Sequence, residues 1–192
     1  MTSRDMTAAM LAAIAAGTVR PVIFYEGEFA AAGSPTTTQF VRLFTGVGSI
    51  SWDGKTWTGG GQLLGISPIE ETSEVLAIGF SVRISGMPAD KITLAMSLMR
   101  QGLPGKLWLG LFDDSGALIA DPYMVRRGKL DVAVIEKSGE TCTITVQYED
   151  RLIDLENPRE RRYTTEDQQL DYPTDLGFEY VPLLQDLNFT WQ

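Results

Sequence analysis

The chain reads as mainly β, an antiparallel β-sandwich or barrel of short strands with flanking α-helices and a C-terminal extension. Three observations predict it. Leu76, Ile78, Phe80, Val82 and Ile84 recur at period two, with Ala77, Gly79, Ser81 and Arg83 between them. Cys142, Ile144, Val146 and Tyr148 alternate in the same way with Thr141, Thr143, Thr145 and Gln147. Hairpin signals stand between such runs, above all Trp52-Asp53-Gly54-Lys55-Thr56-Trp57, where Asp-Gly accepts the positive φ of a type I′ turn. Trp52 and Trp57 flank that turn and read as a cross-strand pair.

Taken in order, Met6, Met10, Leu11 and Ile14 fall at helical spacing among alanines, with Ser3 or Asp5 as cap and Gly17 as stop. Arg4 ahead of this run invites comparison with a signal peptide, but Asp5 and the alanines make a poor apolar centre, and an amphipathic helix is expected. Pro21 ends the helical tendency, and Val22-Ile23-Phe24-Tyr25 begins a strand whose partner is Phe40–Phe44. Between them, Phe29–Gln39 reads as a mobile small-residue loop. Thr58-Gly59-Gly60-Gly61 reads as a loop too rich in glycine for regular structure.

Gly86-Met87-Pro88 is expected to start a helix that turns Ile92, Met96, Leu98 and Met99 inward and closes at Gly102 and Pro104. Leu107, Leu109 and Leu111 resume the strand pattern, and Asp113-Asp114-Ser115-Gly116 makes a turn. Pro122 marks a bulge or an edge. Leu130, Val132 and Val134 form the next strand, turning at Lys137-Ser138-Gly139. Asp150 caps a short helix, Arg151–Glu156, and Thr164 to Gln169 reads as a second capped helix. Roughly eight to ten short strands result. Residues 1–158 form the β domain; residues 159–192 have too little core to stand alone and are expected to pack on the body or on a neighbouring subunit.

Composition narrows the chemistry. The 192 residues suffice for one domain burying about 70% of its unfolded surface. A net charge of −9 argues against a binder of nucleic-acid phosphates and against an anionic membrane surface. No stretch approaches the ~20 apolar residues of a membrane span. The chain has no histidine and one cysteine, so Ser-His-Asp triads, Cys-His pairs and histidine metal sites are excluded. Cys142, in its alternating run, reads as a buried small hydrophobe. Glu70-Glu71 and Asp113-Asp114 are the visible carboxylate pairs, but neighbours on a strand face opposite ways and the aspartates belong to a turn. The Gly59–Gly61 loop lacks the Lys and Ser/Thr of a phosphate-binding loop. Arg159, Arg161 and Arg162 crowd together among acidic residues, where salt bridges are the expected use.

The tail carries a resemblance. Arg161-Arg162-Tyr163-Thr164-Thr165-Glu166-Asp167-Gln168, Tyr172-Pro173-Thr174-Asp175-Leu176-Gly177-Phe178-Glu179-Tyr180-Val181, Leu184-Gln185-Asp186 and Trp191 resemble the C-terminal signature of small tail-tip proteins of long-tailed siphophages and prophages. The Ala-rich opening with Val19-Arg20-Pro21-Val22 is similar too, as are Leu43 to Gly48, Trp52 to Gly59, and Leu64 to Glu74. The likeness covers nearly the whole chain, and its motifs are structural.

It implies a sandwich of tail-tube type with no cofactor, in a non-enzymatic distal tail or baseplate hub component of the virion made in the bacterial cytoplasm. The expected ring joins the tail tube to hub, tape-measure or fibre proteins and lines a channel through which DNA passes unbound. Some relatives hold cysteine-ligated iron–sulfur clusters, which a single cysteine does not support. One such domain per chain needs six copies to match a six-fold tube, so a hexamer is expected, with a trimer as the alternative. The expected subunit contacts are Arg159, Arg161, Arg162, Tyr163, Tyr172, Phe178 and Trp191 in the tail, and Gly59, Gly60 and Gly61 in the body. Two other classes stay open: a carbohydrate-binding module presenting Trp or Tyr, and a histidine-free hydrolase with two carboxylates about 5–10 Å apart.

Overall fold

In the computed structural model, nine strands form one sheet among the described residues, which are 6–17, 19–31, 34–61, 63–70, 74, 76–88, 98–138, 141–156 and 161–186. The strands are β1 (Arg20–Ala31), β2 (Ser34–Phe44), β3 (Val47–Trp52), β4 (Lys55–Gly60), β5 (Leu63–Ile66), β6 (Phe80–Pro88), β7 (Pro104–Phe112), β8 (Tyr123–Ser138) and β9 (Thr141–Glu149). Their spatial order is β3-β4-β2-β1-β7-β8-β9-β6-β5. Pairing is antiparallel throughout, except for a single parallel register pair, Leu43 with Thr58, joining β2 to β4. The chain is therefore mainly β with few helices, as the alternation predicted.

β1 is buried on both sides. Tyr25 and Phe29 face one core cluster with Leu43, Phe80, Val82, Leu107, Leu130, Cys142, Ile144, Val146 and Tyr148. Val22 and Phe24 face the other, with Phe44, Trp57 and Trp108. The first cluster shows that the sheet curls over itself. Strands β1 and β9 lie three places apart, about 14 Å in a flat sheet, yet the Tyr25 and Tyr148 rings are 6.2 Å apart and their hydroxyls share a hydrogen bond of 2.6 Å.

A row of glycines makes room for that pair. Gly27, Gly105 and Gly128 are directly opposed across β1, β7 and β8. A Cβ at Gly27 would overlap the Tyr25 hydroxyl, and one at Gly105 would overlap the Tyr148 ring.

The β3–β4 hairpin covers the second cluster. Asp53 (φ 54°) and Gly54 (φ 65°) both take the left-handed conformation its two-residue turn requires. Trp52 stacks on Trp57 at 5.3 Å, but the two are diagonal: Trp52 pairs with Lys55 and Trp57 with Ile50.

Several expectations need correction. The Phe29–Gln39 segment is largely strand, with Phe29 opposite Gln39 and Ala30 opposite Thr38; backbone pairing outweighs its small-residue composition. Gly59 and Gly60 are likewise in strand, opposite Gly48 and Val47, and only Gly61 turns at positive φ. Strand β6 starts at Phe80, leaving Leu76 exposed and Ile78 outside it, and it runs through Met87 and Pro88 where a helix was expected to begin. That helix, with Ile92 and Met96, lies outside the described residues; Leu98 and Met99 do pack on the first cluster.

In β8 a register shift between Leu130 and Ala133 reverses the facing of the strand. Leu130 and Ile135 then point inward, while Val132 and Val134 point out. At the N-terminus, helix α1 (Ala8–Ala15) is capped by Thr7, and among its residues only Met10 is buried.

The chain divides into two compact units, Met1–Ile153 and Asp154–Gln192. The second contains helix α3 (Thr165–Asp171), capped by the Thr164 side chain accepting from the Asp167 amide, and a 3₁₀ turn at Val181–Asp186. Helix α2 (Ile153–Glu156) lies at the junction, where Asp150 accepts from the Leu152 amide.

Candidate functional site

Strand β1 reads Val-Ile-Phe-Tyr-Glu-Gly-Glu-Phe, and the first glutamate of that run, Glu26, is its buried charge. Directly opposed residues of an antiparallel pair share a face, so Arg42 of β2, Glu26 of β1, Lys106 of β7 and Arg127 of β8 form one transverse row. Arg42 Nε donates to Glu26 Oε2 at 2.6 Å, and Lys55 Nζ reaches the same oxygen at 3.5 Å from the hairpin. Lys106 Nζ lies 3.9 Å from Glu26 Oε1, and Lys55 also pairs with Asp53 at 3.2 Å. A carboxylate is stable at that depth only because cations meet it on both sides. Arg127 is exposed and has no side-chain partner among the described residues. Sequence reasoning missed this row; the glutamate within an apolar strand was the signal available.

The ten expected contact residues separate. Gly59, Gly60 and Gly61 lie in or just after β4. Arg161, Arg162, Tyr163, Tyr172 and Phe178 belong to the second unit, and Arg159 and Trp191 lie outside the described residues. Arg161 bridges Asp171 at 2.6 Å and Asp167 at 2.9 Å, and the hydrogen bond it donates to Asp171 raises its pKa above the ordinary range. Asp167 also accepts from the Arg162 amide, and the Tyr163 and Phe178 rings meet edge-on at 5.9 Å. None of the second unit's described side chains is buried, and Tyr163 (80%), Leu170 (74%) and Leu183 (66%) stand well exposed.

The catalytic candidates fare differently. Asp113 folds its own turn, accepting from the Ser115 hydroxyl and from the amides of Ser115 and Ala117, which lowers its pKa. Glu70 is exposed, and Glu71 lies outside the described residues. Asp131 and Glu149 line a shallow hollow of about 340 Å³ beside Ser81 and Gln147, where Asp131 accepts from Gln101 Nε2. Trp57 and Trp108 are buried and Trp52 packs half-buried against both, so these three indoles offer no open stacking platform for a sugar. Among the described residues no three His, Cys, Asp or Glu side chains gather to hold a metal, and no helix is long and apolar enough to cross a membrane.

No protein-family model matches the chain, and no curated protein matches it in sequence. A chain from the virion of a native gene transfer agent particle shares its fold, with a TM-score of 0.57 at 14% identity. The match covers 82% of this chain and 49% of that one, so this chain spans about half the length of its structural neighbour.

Proposed function

We propose that this chain is a non-enzymatic structural component of a phage-like virion, set at the distal tail tip as a ring joining the tail tube to hub and fibre proteins. The observation that carries the reading is the shared fold with a virion subunit across 82% of the chain. The tail-tip signature in residues 161–191 supports the finer placement. Its mechanism is geometric: the curled sheet supplies a wall, the chain's net charge of −9 keeps DNA phosphates from adhering, and the acidic, apolar second unit reaches a neighbour.

The test is removal of residues 159–192 from the purified protein, followed by negative-stain imaging with and without tube protein. The truncated chain is expected to stay folded and to lose ring formation. Rings of normal size from the truncated chain would remove the tail from the assembly mechanism. Absence of the protein from isolated virions would overturn the reading as a whole.

A further inference from the structure

The row Arg42–Glu26–Lys106–Arg127 is a cationic surface on an acidic protein. Four cations, counting Lys55, share that face with Glu26, Glu28 and Asp53, which leaves it net positive in a chain of net charge −9. Exposed apolar groups flank the row on the same face. Phe40 is opposite Glu28, with the Arg42 guanidinium 4.7 Å above its ring, and Met124 is opposite Trp108.

The complementary surface occurs in the same polypeptide. From Tyr163 to Gln192 the sequence contains Glu166, Asp167, Asp171, Asp175, Glu179 and Asp186 and no lysine or arginine. Asp167 and Asp171 are taken up by Arg161, whereas Glu166 and Glu179 are exposed with no ion pair among the described residues. Tyr163, Leu170, Tyr172, Tyr180 and Leu183 stand exposed beside them.

We propose that the acidic, tyrosine-rich segment 163–186 of one copy docks on the Arg42–Lys106–Arg127 row of a second copy, its carboxylates meeting Arg127 and Lys106 and its apolar side chains meeting Phe40 and Met124. This rests on the reading that the chain assembles with itself, and it assigns the two halves of that contact. A duplex nucleic acid is the competing occupant, disfavoured because the cations alternate with carboxylates and the whole chain repels phosphate.

The experiment is sedimentation velocity of the full chain over a range of concentrations and salt. Arg127→Glu is expected to weaken self-association about tenfold, as is Glu166→Lys with Glu179→Lys, and the combined variant is expected to regain most of the loss. Association of the wild type should also fall as salt rises. Arg127 and both glutamates are exposed and unpaired among the described residues, so the β-sheet signal in circular dichroism, which comes from the first unit, should be unchanged. Self-association indifferent to every reversal would overturn this contact while leaving assembly intact. A wild type monomeric at all concentrations would overturn both. Capture of a DNA duplex by the wild type, lost in Arg127→Glu, would assign the row to phosphates and overturn the proposal.

Discussion

Glu26 and the Tyr25–Tyr148 pair show how single side chains hold the first unit together. Replacing Glu26 by Ala leaves Arg42, Lys55 and Lys106 facing one another around a small void. Because these cations are partly exposed and can turn to water, the expected loss is about 1–3 kcal/mol, less than for a fully buried pair. A urea midpoint for Glu26→Ala within error of the wild type would show that the cluster contributes nothing.

The tyrosine pair makes a prediction in pH. Burial raises the Tyr25 hydroxyl well above its ordinary range and pushes Tyr148 up to about 12. In the unfolded chain both titrate near 10. As pH rises from about 10 to about 12 the unfolded state releases protons that the folded state keeps, so stability is fully present below pH 10 and falls above it. The slope should be about 1.4 kcal/mol per pH unit for each tyrosine. Denaturant midpoints measured at pH 8, 10 and 11 should show this fall, and Tyr25→Phe with Tyr148→Phe should flatten it. Gly105→Ala, which forces a methyl into the Tyr148 ring, is expected to cost about 1–3 kcal/mol by the same measurement.

At the scale of elements, β8 decides more than its sequence pattern does. Leu130, Val132 and Val134 look like one face, but the extra residue before Ala133 turns both valines outward. Val132→Thr and Val134→Thr are therefore expected to change stability by no more than about 0.5 kcal/mol, whereas Leu130→Ala should cost about 2–4 kcal/mol. Chemical denaturation of the two sets distinguishes this arrangement from an unbroken strand, in which the valines would be as costly as the leucine. Helix α3 is a simpler case: Thr164 satisfies the Asp167 amide from its own side chain, and Glu166 and Asp167 lie at the positive end of the helix dipole. Such a cap is local, and the sequence displays it directly.

On the scale of the whole molecule, the buried hydrophobic side chains among the described residues all lie between Met10 and Tyr148, within the first unit. That unit is expected to unfold cooperatively when expressed alone. Residues 154–192, a short stretch without a buried side chain among those described, are expected to give no cooperative transition in isolation. Calorimetry of the two pieces checks both statements. A sharp transition from the C-terminal piece would mean that it forms a core of its own, and the case for an assembly arm would weaken accordingly.

The sequence by itself determined what depends on near neighbours. The clean alternation from Cys142 to Tyr148, the Asp53-Gly54 hairpin, the Asp113 turn and the Thr164 cap all appear as predicted, because each needs only residues a few places apart. Tertiary structure decided the rest. Paired partners turned the glycine- and threonine-rich stretches into strand, since backbone hydrogen bonding across β1–β2 and β3–β4 does not depend on side-chain size. The curl that joins Tyr25 to Tyr148, and the register that lines Arg42, Glu26, Lys106 and Arg127 across four strands, unite positions up to 123 residues apart. Such contacts follow from sheet order and bulge position, which no local pattern encodes.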